Sequence, residues 1–394
     1  MGVLLSAQAI IACCREDNPP MPQREMPLPT VLDPRGRTFG EEERVAVLRV
    51  LDSAVLCGAF GHEARALEAE MAQLYGRAEA VSCSSGTAAL HLAVAAAGVG
   101  PGDEVITTPI SDFGTVAPVV AQGGRVVFAD VREDDGNLDP DAVEAAVTPR
   151  TKAVIAVHLF GGAADTVRLR EICDRHGLLL IEDCAQAWLG EDEAGRLLGT
   201  TGDIACFSLQ QYKHITAGDG GLTLTDDPSL ATRMRLFMDK GWDRAEGRIH
   251  RTMGLNYRMT ELVAAVARVQ LTRVAGVVAR RRASARRLIE AVGGLPGVTV
   301  PQRRTGHAWW VVPLLVDDNT RWARGLEERG VPALPGYLER PLYANPALSG
   351  YPPGLCPRAE RLIGRTLLVL PWNEGYSEDD VDRIAQALGK VATS

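Results

Sequence analysis

Between Ala80 and Thr225 short apolar runs alternate with helical stretches, and this alternation limits the fold more than any other feature. The runs Ala80–Cys83, Glu104–Thr108, Arg125–Ala129, Ala153–His158, Leu178–Ile181, Ile204–Ser208 and Leu222–Thr225 read as strands. Thr87–Ala97, a run ending at Ala121, Pro140–Val147 and Ala164–His176 lie between them and read as helices. Repeated β–α units of this kind predict an α/β protein with a mainly parallel sheet covered by helices on both faces. Upstream, Glu41–Ser53 and Glu63–Tyr75 read as helices separated by the turn Gly58-Ala59-Phe60-Gly61. Downstream, a long helix is predicted from Met259 to about Val292, broken near Gly276. Strands at Ala308–Val316 and Thr366–Leu370 then mix with helices at Arg321–Arg329 and Glu378–Leu388, so the C-terminal third reads as a smaller α/β domain. The Pro- and Gly-rich stretch 331–356 reads as irregular.

A chain of 394 residues is long enough for one large domain and a smaller companion. Its net charge of −8 disfavours nonspecific nucleic-acid binding. The basic cluster Arg280, Arg281, Arg282, Arg286 and Arg287 sits on a helical pattern, and a solvated helix face is favoured over a binding patch. Eight cysteines without C-x-x-C spacing suit a reducing cytoplasm without a zinc site, several of them as small core residues. No run of 18 apolar residues exists, so no membrane partner is expected. Val3–Cys14 is apolar but lacks a basic leader and a clear cleavage site, which argues against a signal peptide. Met1-Gly2 with Ser6 matches the myristoylation pattern, a short one often matched by chance.

Four segments bear on chemistry. Ser84-Ser85-Gly86-Thr87-Ala88-Ala89-Leu90 joins a strand to a helix, where free backbone N–H groups and the helix dipole favour an anion such as phosphate. An ordinary N-cap by Ser85 or Thr87 is the alternative. Ile181-Glu182-Asp183-Cys184-Ala185-Gln186 ends an apolar strand, at the edge where parallel sheets bind ligands. There Asp183 can pair with a protonated pyridine nitrogen, and Gln186 can donate to a phenolate oxygen; Asp183 as a helix cap is the other reading. In the run from Cys206 to Gly221, Lys213 follows the strand by five residues and precedes Gly218, Gly220 and Gly221. A Schiff-base lysine needs a depressed pKa and fixed placement, which a sheet edge supplies, whereas most lysines sit on surface loops. His214 beside it reads as structural. The fourth segment, Gly254-Leu255-Asn256-Tyr257-Arg258-Met259, by itself says only that a helix begins.

In this order and spacing, S-G-T-A-A-L, E-D-x-A-Q, F-S-x-x-x-x-K-x-x-x-x-G-x-G-G and N-Y-R-M resemble the DegT/DnrJ/EryC1/StrS family of aminotransferases, from about Phe39 to the C-terminus. The resemblance implies the fold-type-I, aspartate-aminotransferase-like architecture: a large domain with a mainly parallel seven-stranded sheet, and a small C-terminal α/β domain. It implies pyridoxal 5′-phosphate (PLP, passing through pyridoxamine phosphate) as cofactor, with Lys213 as Schiff-base lysine and proton shuttle. Asp183 resembles the pyridine-nitrogen partner and Gln186 the contact to the ring hydroxyl. Thr87 and Ala88 in the Gly86 segment, with Ser208, resemble the phosphate ligands. Phe113 resembles the aromatic stacked on the ring, with a core role as its alternative. Asn256 resembles the residue that reaches the phosphate of the neighbouring subunit, which implies a homodimer with shared sites. The implied domains are an N-terminal extension, disordered in part, over 1–30, a large domain over 31–265 and a small one over 266–394.

The implied reaction moves an amino group from a small-molecule donor, L-glutamate or L-glutamine, to a ring ketone in two half-reactions. Many nucleotide-sugar members carry F-S-F-H before the lysine; here Ser208 is followed by Leu209-Gln210-Gln211, which resembles the members that aminate cyclitols such as scyllo-inosose. Arg244, Arg258, Tyr337 and Arg340 are candidate substrate contacts, with structural salt bridges as the alternative. Members that dehydrate their substrates carry histidine where this chain keeps Lys213; a PLP-dependent lyase is the alternative reaction class. Gly98-Val99-Gly100-Pro101-Gly102 follows a helix, so it lacks a nucleotide-binding Rossmann context.

Overall fold

The computed structural model describes residues 26–247, 249–300 and 305–394. Residues 1–25, with the apolar run, the Met1-Gly2 pattern, Cys13 and Cys14, lie outside the described residues. Seven strands form the main sheet: β1 (Glu79–Cys83), β2 (Glu104–Thr107), β3 (Arg125–Phe128), β4 (Thr151–Val157), β5 (Leu179–Asp183), β6 (Ile204–Ser208) and β7 (Gly221–Thr225). Their order is β1-β7-β6-β5-β4-β2-β3, and only β7 runs antiparallel to its neighbours. The expected mainly parallel seven-stranded sheet is thus present, each strand lying within two residues of its sequence reading. Every residue of β6 and β7 is buried, as strands covered on both faces require.

A second, antiparallel sheet is built from Val298–Thr299, Val311–Val316, Leu367–Pro371 and Leu334–Pro335. The helices Asn319–Glu327 and Glu378–Ala392 pack on it through Trp322, Leu326, Ile384 and Leu388. Leu28 joins that same core and Asn373 Nδ2 donates to Pro29 O at 2.8 Å, so Leu28 and Pro29 of the expected extension are buried, while Met26, Pro27 and Thr30 are exposed.

The long helix runs unbroken over Glu261–Val292. Gly276 does not interrupt it; a Cβ there would meet nothing nearer than the flexible end of Arg280 at 3.5 Å, so the glycine costs helix propensity of about 1 kcal/mol and no more. Ala264, Ala267, Leu271, Val274, Val277 and Val278 enter the core beside the main sheet, whereas Ala285, Leu288, Ile289 and Val292 enter that of the second sheet. The helix therefore runs straight through the expected division at 265/266. By length and composition it would pass for a membrane span, but here its apolar face is packed and Arg268, Arg273 and Arg281 are ion-paired.

Two readings need correction. The helix Pro228–Met238 was not expected, although Asp227 caps it and proline opens it. Arg281 is not on a solvated face: it is fully buried, bonds Glu374 at 2.9 Å and donates to the carbonyls of Trp310 and Trp372 at 3.0 and 2.8 Å. Its neighbour Arg287 fits the solvated reading, pairing with Asp382 at 2.7 Å. Cys83, Cys173, Cys184, Cys206 and Cys356 are buried thiols, as expected of small core residues.

Candidate active site

The sheet register assembles the site. Gly221, the first residue of β7, pairs with Cys83 on one side and Ser208 on the other, so the ends of β1 and β6 flank it. The chain leaving β1 thus starts the helix Gly86–Ala96 against Ser208. A Cβ on Gly86 would lie 2.7 Å from Ser208 Cβ, so only glycine allows this approach. Ser85 caps the helix, its Oγ accepting from Ala88 N at 3.0 Å. The N-cap reading is thus met at Ser85, and the remaining first N–H groups of the helix have no partner within it. The Ala88 N–H itself is occupied by the cap.

Asp183 closes β5 next to β6, where its carboxylate is buried. Oδ1 accepts from Ala185 N at 3.1 Å and Oδ2 from Thr115 Oγ1 at 2.9 Å. Burial pushes its carboxyl above the ordinary value, against the Ala185 and Thr115 bonds and the charge of Lys213. Thr115 was missed in the sequence, since nothing local marks a threonine in the short turn Phe113–Thr115 as a carboxylate partner.

Lys213 is half-buried, and its amine lies 4.4 Å from the centre of the Trp310 ring. Burial pulls the ammonium below its ordinary value; Asp183 and Asp112 pull it back up. The loop is fixed from three sides. Trp310 Nε1 donates to Tyr212 O at 2.6 Å, Arg37 donates to Lys213 O at 2.7 Å, and the neighbouring His214 Nε2 bonds Ala308 O at 2.9 Å. His214 is fully enclosed and held well below its ordinary value by burial, in keeping with a structural role.

These groups share a cavity of about 700 Å³, within the range of a small-molecule site. Gly86, Thr87, Asp183, Ser208 and Lys213 line it, together with Trp310, Tyr337 and residues 29–32. Four of the candidate cofactor contacts do not line it. Ala88 is buried behind Thr87. Phe113 packs against the main core, while its neighbours Asp112 and Gly114 face the cavity. Gln186 accepts from Phe160 N at 2.7 Å and donates to Tyr337 OH at 3.3 Å, so it reaches the cavity through Tyr337. Asn256 is exposed beside Asp239, away from this chain's own cavity.

The Gln210-Gln211 pair divides. Gln210 lines the cavity, whereas Gln211 turns its amide to Val31 O at 2.7 Å. Of the candidate substrate contacts, only Tyr337 lines the cavity. Arg244 and Arg258 converge on Asp239, and Arg340 lies 3.8 Å from Glu339. His158, Glu182 and Cys184 bring potential metal-ligand atoms together, but Glu182 already accepts from His158, Gly199, Thr201 and Gly202.

Comparison with known proteins agrees with this geometry. The chain is 38% identical over 356 residues to dTDP-3-amino-3,4,6-trideoxy-alpha-D-glucose transaminase of Streptomyces venezuelae, covering 89% of this chain and 92% of that protein. It is also 38% identical over 360 residues to L-glutamine:2-deoxy-scyllo-inosose aminotransferase of Streptomyces kanamyceticus, covering 80% and 82%. The crystal structure of S. venezuelae DesV in complex with a ketimine intermediate superposes with a TM-score of 0.85 at 35% identity, over 90% of this chain and 95% of that one. The fold is accordingly the fold-type-I architecture of PLP-dependent transferases. Residues 37–389 match the model of the DegT/DnrJ/EryC1/StrS aminotransferase family, and the chain belongs to that family and is an aminotransferase.

Proposed function

We propose that this aminotransferase moves an amino group from L-glutamate or L-glutamine to a ring ketone of a sugar or cyclitol, with PLP held by Lys213. One observation carries the reading: the Lys213 amine, the buried Asp183 carboxyl and the start of the helix Gly86–Ala96 face one cavity. The donor set suits a phosphorylated pyridine. A helix start with a hydroxyl beside it takes a phosphate, a buried carboxylate takes a pyridinium, and an amine of lowered pKa takes an aldehyde.

Bound here, the cofactor supplies an electron sink for negative charge at a substrate carbon. Thr87 and Ser208, with the N–H groups at Gly86, hold the phosphate end. Asp183 would pair with the ring nitrogen as a carboxylate, a state that the Thr115 and Ala185 bonds favour. Lys213 would hold the cofactor and move a proton to and from the substrate carbon; burial favours the neutral amine that this role needs. Gln186 orients Tyr337. Asn256, exposed in one chain, is assigned to the phosphate of a second copy in a homodimer.

The test is borohydride reduction of the PLP-loaded enzyme, then peptide mapping, beside an assay for 2-oxo acid release from both donors. The label is expected on Lys213, and Lys213→Ala loses both label and turnover. A Lys213→Ala protein that is still labelled and turns over normally rejects the assignment.

A further inference from the structure

Lys213 lies outside every strand and helix, between the end of β6 at Ser208 and the start of β7 at Gly221. Its placement therefore depends on what grips the loop around it. The carbonyls of Gln211, Tyr212, Lys213 and His214 are all taken by side chains remote in sequence. Arg37 spans three of them: Nη1 donates to Lys213 O at 2.7 Å and to His214 O at 3.4 Å, and Nη2 donates to Gln211 O. Trp310 Nε1 donates to the fourth, Tyr212 O, at 2.6 Å, and the same ring lies 4.4 Å from the Lys213 amine.

The two grips share one carboxylate. Glu374 Oε1 lies 3.8 Å from Arg37 Nη1, and Glu374 Oε2 accepts from Arg281 Nε and Nη2 at 3.1 and 2.9 Å. Arg281 Nη1 in turn donates to Trp310 O at 3.0 Å. The contacts thus close a ring, from the lysine loop through Arg37, Glu374, Arg281 and Trp310 back to the loop. The side chains of Arg37 and Glu374 are buried and that of Arg281 is fully enclosed. Charge-assisted bonds are stronger than neutral ones, and a low local dielectric strengthens them further. A planar guanidinium that meets three carbonyls fixes the loop in orientation as well as position, which an ammonium on a flexible stem does not.

We infer that Arg37 is a positioning residue for Lys213: it holds the backbone from which the amine reaches the cofactor, so that their bond forms without first ordering the loop. The inference rests on the PLP reading of Lys213 above and deepens it.

The test separates the bond to Lys213 from the rest of cofactor binding. Pyridoxamine phosphate offers the same phosphate and ring but has no aldehyde for an amine to attack. Affinities for PLP and for pyridoxamine phosphate are measured on the full-length protein, dialysed free of cofactor, for wild type, Arg37→Met and Arg37→Lys. Arg37→Lys keeps the charge and loses the fork, and it reads the same ratio should Arg37→Met fail to fold. Each variant is expected to weaken PLP about tenfold and pyridoxamine phosphate by less than about twofold. In a Lys213→Ala background the same substitutions are expected to change PLP affinity by less than about twofold, because no bond is left to prepare. The inference is overturned if, in either variant that folds, the two affinities fall together or both stay within about twofold of wild type. It is equally overturned if the loss of PLP affinity persists in the Lys213→Ala background. A wild type that gives no borohydride label on Lys213 rejects the cofactor reading itself, and the inference falls with it.

Discussion

Thr115 Oγ1 donates to Asp183 Oδ2 at 2.9 Å, and Ser111 Oγ holds Thr115 in turn at 2.8 Å. A hydroxyl from the turn after β2 therefore stabilises the charge of a carboxylate on β5, against the burial that raises its pKa.

Thr115→Val removes that donor, so the Asp183 carboxyl titrates at higher pH. Amino transfer on the PLP-loaded enzyme needs Asp183 ionised, and activity is lost as pH falls through its pKa. The acidic limb of kcat/KM is expected to move up by about one pH unit, and Thr115→Ser to restore it. A limb that stays in place would detach Thr115 from the chemistry.

Gly86→Ala tests the phosphate cradle. The new Cβ collides with Ser208 at 2.7 Å, at the end of a fully buried strand that has little room to yield. A stability loss of about 1–3 kcal/mol is expected, with weaker retention of PLP on dialysis. Wild-type retention of PLP by the variant would show that the phosphate sits elsewhere.

Arg281→Met tests the buried pair beneath the lysine loop. Its guanidinium is fully enclosed, and its removal strands Glu374 and several carbonyls. Denaturant unfolding is expected to show a loss of about 3–5 kcal/mol. A change below about 1 kcal/mol would mean that Glu374 relaxes to water or to Arg37.

His307 gives a pH dependence of stability. Burial lowers its imidazole from the ordinary 6.5 to about 3, and its Nδ1 accepts from Trp309 N at 2.9 Å. Between those values the unfolded chain takes up a proton that the folded one refuses. This contribution is complete above 6.5 and is lost as pH falls towards 3. His307→Asn keeps an acceptor and cannot titrate. The drop in Tm between about pH 7 and pH 5 is expected to be smaller in the variant than in wild type, and an equal drop would count against a neutral buried His307.

Local pattern carried much of this molecule. The ends of β5 and β6, where Asp183 and Ser208 sit, follow from apolar runs cut off by polar residues, and Lys213 follows from its distance to Ser208. What stayed hidden depends on partners remote in sequence. Gln211 looked like a cavity residue until its bond to Val31, 180 positions away, turned it outward. Arg281 reads as solvated among Arg280, Arg282, Arg286 and Arg287, yet Val277, Val278 and Leu288 at i−4, i−3 and i+7 put it on the buried face of the helix, so the apolar stripe was the better guide. Thr115, Trp310 and Arg37 carry no local mark at all. The helix Pro228–Met238 is a different case: Asp227 and Pro228 announced it, and the signal was legible.

The segment 29–37, whose residues 29–32 line the cavity, also sets a timetable for synthesis. Pro29 is held by Asn373, 344 positions later, and Arg37 faces Glu374. A ribosome delivers the N-terminal end first, so this segment leaves the exit tunnel long before its anchors exist. The main sheet has all its strands once Thr225 is out, yet the contacts that hold residues 29–37 beside the site wait for Asn373 and Glu374, about 150 residues later. A chain stopped after the main sheet would have every strand of the cofactor-binding edge and none of the anchors that fix the segment lying against it.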